Sequence, residues 1–385
     1  MTKRNIPIAV PILGDEEWHS VKESIDSGWI TQGPKVAEFE NMFAKRHNVK
    51  RALAVTSCTT GLHLALAAYD IGPGDEVIVP AFTWCSTANV VVHLGAKPVF
   101  VDVDRKTNNI DPKLIKEKIT DKTKAIMVVH LFGLCADMAE IRKVLPDHIK
   151  IIEDAACASG AEYLGDPAGG LGDIAAFSLH PRKSITTGEG GMVTTNDINI
   201  AEKLDQLRNH GSKISEEQRH KGPKPYILPD FSLIGFNYRM TDIQGAIGTV
   251  QLKKLDSFID ERNLWAEYYS ESLRDIDWLS LPYTSTNYKH GWQSYVTYID
   301  ENKSPYPRNE IMEKLQKCGI STRPGTHAVH MLSAYKNLFN LHDDDFPAAR
   351  DCNNFTMAIP LHNKMIKDDY DYVIAKLKDI DNGVL

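Results

Sequence analysis

The chain has 385 residues, 42% of them hydrophobic and 25% charged, with a formal net charge of −7. That composition suits a soluble globular protein of two domains, and the negative charge gives no basis for nucleic acid or an anionic membrane as partner. Six cysteines, at positions 58, 85, 135, 157, 318 and 352, form no CxxC pair, so free thiols are expected and a zinc site is not. No signal-type apolar core follows Met1 and no apolar run reaches membrane-spanning length, so a cytoplasmic protein is expected.

Residues 1–30 read as an arm. Ile6 to Ile12 is apolar with two prolines, which predicts an edge strand or extended segment. Asp15 to Ser27 has helical spacing at Trp18, Val21 and Ile25. Ser27 to Pro34 is a loop whose polar and aromatic residues suit a substrate pocket or a plain connection. From Lys35 the pattern is α/β: a helix to His47, a strand Arg51 to Thr56, the turn Ser57-Cys-Thr-Thr-Gly61 and a helix Leu62 to Ala68. A small, polar turn opening a helix offers free N–H groups and hydroxyls to an anion, but taken alone it reads first as simple N-capping by Ser or Thr. Further strands are expected at Glu76 to Pro80, Lys97 to Val103, Ala125 to Leu131 and His148 to Ile152. Helices are expected after Trp84, at Asp111 to Ile119 and at Ala136 to Leu145. This alternation implies a largely parallel sheet covered on both faces.

Two polar side chains stand out against that scaffold. Asp154 ends an apolar strand, where a carboxylate is costly unless paired. It reads either as a cap for the next segment or as the partner of a protonated cofactor nitrogen. Lys183 lies in a break between two apolar runs, Asp173 to Leu179 and Met192 to Thr195. Ser178 stands five residues before it and Gly188-Glu-Gly-Gly191 follows. Beyond it come a helix Asn199 to Arg208, a polar loop Ser212 to Pro229, and a long helix from about Thr241 to Leu273. The last part predicts strands at Gln293 to Ile299 and Ile320 to Thr322, and helices at Arg308 to Cys318 and Lys367 to Lys378.

In their order and spacing, several motifs resemble the DegT/DnrJ/EryC1/StrS sugar aminotransferases. They are Gly72-Pro-Gly-Asp-Glu-Val77, Thr83-Trp84, Glu153-Asp154-Ala-Ala156, Gly172-Asp173, Phe177-Ser178, Lys183, Gly188-Glu-Gly-Gly191 and Asn237-Tyr-Arg-Met240. The resemblance implies the type I fold of enzymes dependent on pyridoxal 5′-phosphate (PLP). That fold has a large domain with a mostly parallel seven-stranded sheet, here residues 31–250, and a small α+β C-terminal domain, here 251–385. It implies PLP covalently attached to Lys183 as a Schiff base, with Lys183 then shuttling protons as an amine of lowered pKa. Asp154 would pair with the pyridine nitrogen and Trp84 would stack on the ring. Thr59, Thr60 and Ser178 would hold the phosphate, together with Asn237 of a neighbouring subunit, hence a homodimer with shared active sites. Thr31, Gln32, His327 and His330 would touch substrate. Cys157 stands where the family often carries a glutamine that contacts the PLP hydroxyl. His180 is expected at a strand end near the cofactor, not as the key residue.

The expected reaction is transfer of an amino group from an amino acid, glutamate by resemblance, to a keto sugar. The first choice of acceptor is a nucleotide-linked 4-keto-6-deoxy sugar, with the product feeding surface polysaccharide or another glycoconjugate. An acidic keto-ulosonate acceptor, a PLP-dependent sugar dehydratase and a non-catalytic regulator of the same fold are the alternatives. Lys183 argues against the dehydratase, and the intact set of cofactor residues argues against the regulator.

Overall fold

The computed structural model describes residues 4–214, 226, 228 and 230–385. Its centre is a seven-stranded sheet: β1 Arg51–Val55, β2 Glu76–Pro80, β3 Lys97–Val101, β4 Thr123–Val129, β5 Lys150–Asp154, β6 Ile174–Ser178 and β7 Gly191–Thr195. The spatial order is β1-β7-β6-β5-β4-β2-β3. The pairs from β6 across to β3 are parallel, and β7 runs antiparallel to both β6 and β1. This is the mostly parallel, two-sided sheet expected from the alternating elements.

Side chains alternate across the sheet with period two, so neighbouring residues feed two different cores. Val79, Met127 and Ala176 join one core with Leu62, while Ile78, Ile126, Ala175 and Phe177 join the other with Phe39 and Phe43. The helices that cover the faces are α1 Asp15–Ser27, α2 Pro34–Arg46, α3 Cys58–Ala68, α4 Ser86–His93, α5 Met138–Val144, α6 Ile198–Arg208 and α7 Asp242–Leu273. Phe39 and Phe43 are fully buried, each worth about 1.5–3 kcal/mol of transfer free energy.

Helix α7 carries the chain from this sheet to a second core. Thr241 caps it through the backbone N–H of Gln244, and Gln244 returns a bond to the Thr241 N–H. Its first turns lie so close to α2 that only glycine fits. A Cβ on Gly245 would sit 2.7 Å from the Val36 nitrogen, and one on Gly248 would sit 2.6 Å from the Phe39 ring. Its last turns give Ala266, Tyr269 and Leu273 to the second core. That core is built on an antiparallel sheet of β8 Leu279–Ser280, β9 Tyr295–Ile299 and β10 Thr356–Ile359, in that order. Helices α8 Arg308–Lys317 and α11 Lys367–Asp381 pack on it, and α9 Ser333–Phe339 and α10 Pro347–Phe355 return the chain toward the large sheet.

Several elements differ from the sequence expectation. Asp111 to Ile119 is not a helix but two short 3-10 turns, Pro112–Leu114 and Lys116–Lys118. The segment is tethered at its start, where the Asp111 N–H donates to the Asp102 carbonyl and Val103 bridges Ile110. Ile320 to Thr322 is no strand; Ile320 makes a single bridge to Ile6. Helix α3 begins at Cys58, four residues before the expected start, because Ser57 caps it. The apolar spacing of α1 marks an exposed stripe, with Trp18 64% and Ile25 53% exposed, while Glu17 and Ser24 face inward. The expected loop Ser212 to Pro229 falls largely outside the described residues.

Candidate active site

The site lies at the carboxyl edge of the parallel strands, where an open α/β sheet offers helix N-termini and strand ends to a ligand. Asp154 is the last residue of β5, and it pairs in register with Val129 on one side and Ala176 on the other. Because β7 returns antiparallel to β6, the connection that carries Lys183 loops back over this same edge. The Lys183 N–H donates to the His180 carbonyl, and the Arg182 N–H to His180 Nδ1. His180 thus organises the turn and presents Lys183 inward. Lys183 Nζ donates to Cys157 Sγ at 3.2 Å, just past the β5 end.

Two adjacent carboxylates end β5, and their surroundings separate their roles. Glu153 is fully buried and saturated. Its oxygens accept from the N–H groups of Gly169 and Gly172 and from His130 Nε2 at 2.9 Å. His130 Nδ1 accepts the Ala136 N–H, which places the ring proton on Nε2. Asp154 is 4% exposed and less completely served. Oδ2 accepts the Thr87 hydroxyl at 2.7 Å, and Oδ1 accepts the Ala156 N–H at 3.2 Å with the Cys58 thiol at 3.9 Å. Burial pushes its carboxyl up, and Thr87, Ala156, Lys183 and His130 counter this without cancelling it. A buried carboxylate still held above its ordinary range is short of positive charge, which a protonated ring nitrogen supplies.

Thr87 is the residue that the sequence did not single out. It is fully buried in the first turn of α4, and its hydroxyl also meets that of Thr83 at 3.0 Å. A threonine opening a helix reads from sequence as a cap, so only the fold reveals that it faces Asp154.

The residues expected to hold a phosphate lie at the N-terminus of α3 and at the adjoining end of β6. Thr59 is exposed there. The Thr60 hydroxyl is already engaged, accepting the Ser57 N–H at 3.0 Å and donating to the Ser57 carbonyl at 2.8 Å. Ser178 ends β6, mostly buried, and faces Gly191 across the strand pair. A Cβ on Gly191 would lie 2.5 Å from Ser57 C and 2.6 Å from the Cys58 nitrogen, so β7 comes this close to the cradle only as glycine. Asn237 is exposed on a segment bridged to Asn209.

Trp84 is 58% exposed, its indole meeting the His327 ring edge-on at 5.3 Å. A two-residue strand pairing of His327 with Thr83 brings them together. His330 does not share that surface. It is fully buried against Phe346, with Nε2 on the Asp343 carbonyl, so its expected role at the substrate is corrected to one in the core. Thr31 and Gln32 lie in the arm loop, Thr31 accepting the Asp242 N–H and the Gln32 carbonyl accepting Trp29 Nε1. Asp242, also unforeseen, holds that loop through the N–H groups of Gly33, Lys35 and Val36. Two residues on, Gln244 Nε2 reaches the Glu189 carbonyl, so the start of α7 ties the arm loop to the lysine turn.

Lys183 departs from expectation in its acidity. Burial pushes its ammonium down, but Cys157, Cys58 and Asp154 together hold it above the ordinary lysine range. The groups that face it are anions or sulfur rather than cations, so the expected lowering is absent.

Residues 11–378 match the model of the DegT/DnrJ/EryC1/StrS aminotransferase family. The chain belongs to this family. It is 40% identical over 378 residues to the GDP-perosamine synthase of Caulobacter vibrioides, covering 97% of this chain and 98% of that protein. It is 38% identical over 385 residues to the spore coat polysaccharide biosynthesis protein SpsC of Bacillus subtilis, covering 99% of each. A Streptococcus pneumoniae sugar aminotransferase in its PLP form superposes with a TM-score of 0.91 at 29% identity, over 99% of this chain and 100% of that one. As a member of the family, the protein is a PLP-dependent sugar aminotransferase of the type I fold. The donor set above fits that cofactor: an amine, a buried carboxylate short of positive charge, an exposed indole and a helix N-terminus along one edge.

Proposed function

We propose that this enzyme uses Lys183 as the amine that links PLP and Asp154 as the partner of its ring nitrogen. It would transfer an amino group from L-glutamate to a nucleotide-linked 4-keto-6-deoxy sugar. The observation that carries the assignment of residues is that Lys183 Nζ donates to Cys157, just past the strand end that Asp154 closes, so amine and buried carboxylate share one edge of the sheet. Support for the sugar class comes from the relatives, one a GDP-perosamine synthase and another a polysaccharide biosynthesis protein.

When bound, PLP supplies an electron sink that makes the α-proton of an amino acid removable. Asp154, oriented by Thr87, keeps a ring nitrogen protonated. Lys183 Nζ, once free, accepts a proton at one carbon and returns it at another. Its sulfur and carboxylate neighbours hold its basicity above that of an ordinary lysine, which favours the accepting step. Trp84 gives a flat apolar wall, and the N–H groups at the start of α3 receive a phosphate with Thr59 and Ser178. Thr60 serves this cradle by capping α3, and Cys157 serves as the lysine's sulfur neighbour. Thr31, Gln32 and His327 are the candidates for substrate contact.

The active unit is a homodimer in which Asn237 reaches the phosphate bound by its partner, and the enzyme works in the cytoplasm. Among the described residues, no helix is long and apolar enough to cross a membrane. The domains divide as an arm (1–30), a PLP-binding part (31–250) and a C-terminal part (251–385), with α7 continuous across the second boundary.

The test is a two-step incubation. Enzyme loaded with PLP and mixed with glutamate alone should release 2-oxoglutarate once per site. Addition of a GDP- or dTDP-linked 4-keto-6-deoxy sugar should then give the amino sugar. Consumption of the keto sugar to a deoxygenated product with no nitrogen incorporated would overturn the proposal in favour of a dehydratase.

A further inference from the structure

Among the described cysteines, Cys157 alone has a lysine nitrogen within hydrogen-bond reach, and that nitrogen is Lys183 Nζ at 3.2 Å. The backbone fixes both ends of this contact. Cys157 lies within a turn closed by the Ala158 N–H on the Ala155 carbonyl, after the Ala156 N–H has bonded Asp154 Oδ1. Lys183 sits in the turn closed on His180. Both residues are half-buried. The nearby thiol of Cys58 differs: it is buried, and burial and the charge of Asp154 push it well up, which leaves it a poor nucleophile. Burial likewise pushes up the thiols of Cys135 and Cys352.

We propose that Cys157 and Lys183 form an oxidisable pair that a hydroperoxide converts into a reversible sulfur–nitrogen cross-link. In the first step the Cys157 sulfur attacks the peroxide O–O bond. Cysteine thiol and ROOH give cysteine sulfenic acid and ROH, the sulfur losing two electrons to the peroxide oxygen. In the second step the Lys183 amine, having lost its proton to water, attacks that sulfur. The S–N bond forms as the S–OH bond breaks, and hydroxide leaves with the second nitrogen proton as water. A thiol reductant reverses the bond: one thiol attacks the sulfur and frees the amine, and a second displaces the resulting mixed disulfide.

The consequence rests on the reading of Lys183 as the cofactor-linking amine; the bond itself does not. A cross-linked Lys183 cannot capture PLP, whereas a Lys183 already bonded to the cofactor has no free amine to give. The pair therefore makes the enzyme sensitive to peroxide when the lysine is free and resistant when the cofactor occupies it.

The experiment compares PLP-loaded enzyme with enzyme stripped of PLP, each treated with hydrogen peroxide and quenched with catalase. The stripped enzyme should lose two hydrogens in intact mass. Its peptide map should link the Cys157 peptide to the Lys183 peptide, and PLP rebinding by absorbance should be lost. Dithiothreitol should restore all three, and the loaded enzyme should show little cross-link. Cys157→Ser should form no link. Lys183→Arg should leave a sulfenic acid at Cys157 that dimedone traps. A Cys157–Cys58 disulfide, only sulfinic or sulfonic acid at Cys157, or an unmodified Cys157 would overturn the proposal. The assignment of Lys183 to the cofactor is tested separately, by the absorbance of untreated loaded enzyme and its loss in Lys183→Ala.

Discussion

Replacing Thr87 by Val probes the carboxylate at the centre of the site with almost no change in shape. Thr87 is fully buried and donates to Asp154 Oδ2 at 2.7 Å, the foremost of the contacts that favour the charged form. A hydrogen bond to a buried charged group contributes about 1.5–3 kcal/mol, so Thr87→Val should destabilise the PLP-free protein by that amount at neutral pH, roughly 10- to 150-fold in the unfolding constant. The pH dependence distinguishes this cause from lost packing. Asp154 is raised by burial, so in the folded protein it takes up its proton at a higher pH than an ordinary aspartate. Loss of the Thr87 bond raises it further. The deficit of the variant is therefore fully present above the variant's own, higher folded pKa and shrinks as pH falls from there through the wild-type value. Urea unfolding of both proteins at neutral pH and at successively lower pH measures this. PLP should also bind the variant more weakly, since Asp154 would meet the ring nitrogen less often as an anion. A deficit of equal size at every pH would refute the electrostatic argument and assign the effect to packing alone.

Borohydride reduction of PLP-loaded enzyme should fix the cofactor mass on the peptide containing Lys183, and Lys183→Ala should retain none; a label on another lysine would reject the assignment. Gly191→Ala should cost about 1–3 kcal/mol by overpacking against the backbone of Ser57 and Cys58, and should weaken PLP binding because it moves the start of α3; thermal melts and a PLP titration read the two effects. Asp242→Ala should cost about 2 kcal/mol, at the upper end for a lost cap, since three N–H groups lose their acceptor; limited proteolysis should then cut sooner near Trp29 to Pro34. His330→Ala should lower stability by leaving a cavity beside Phe346 while KM for the sugar stays unchanged, whereas His327→Ala should raise KM with little effect on melting.

Legibility in the sequence followed the physics of each element. Helix α7 was readable to within a residue because a capping box opens it and a continuous helical pattern follows. The places of Lys183 and Asp154 at strand ends were readable because a charged residue at the end of an apolar strand needs a reason. Strand β10 was missed because it follows α10 directly, with no glycine or proline between Phe355 and Thr356 to mark the change. The pair Phe82–Thr83 with His327–Ala328 was missed because two-residue strands carry no periodicity. His330 was misplaced because proximity in sequence to His327 says nothing about burial: a 3-10 turn rotates it into the core. Thr87 and Asp242 were hidden because their hydroxyl and carboxylate act on partners far away in the chain.

The short pairing of His327 with Thr83 has a consequence for how the enzyme is made. Asp154, Trp84 and Lys183, with the start of α3, have all been synthesised once the lysine turn is translated. His327 reaches Trp84, and the Val329 N–H reaches the Ala81 carbonyl, only after the long helix and β9 have emerged. The groups assigned to PLP and the residue proposed to meet the sugar are thus separated in time as well as in sequence. A chain truncated before residue 327 would keep the groups assigned to PLP and leave the outer side of Trp84 bare.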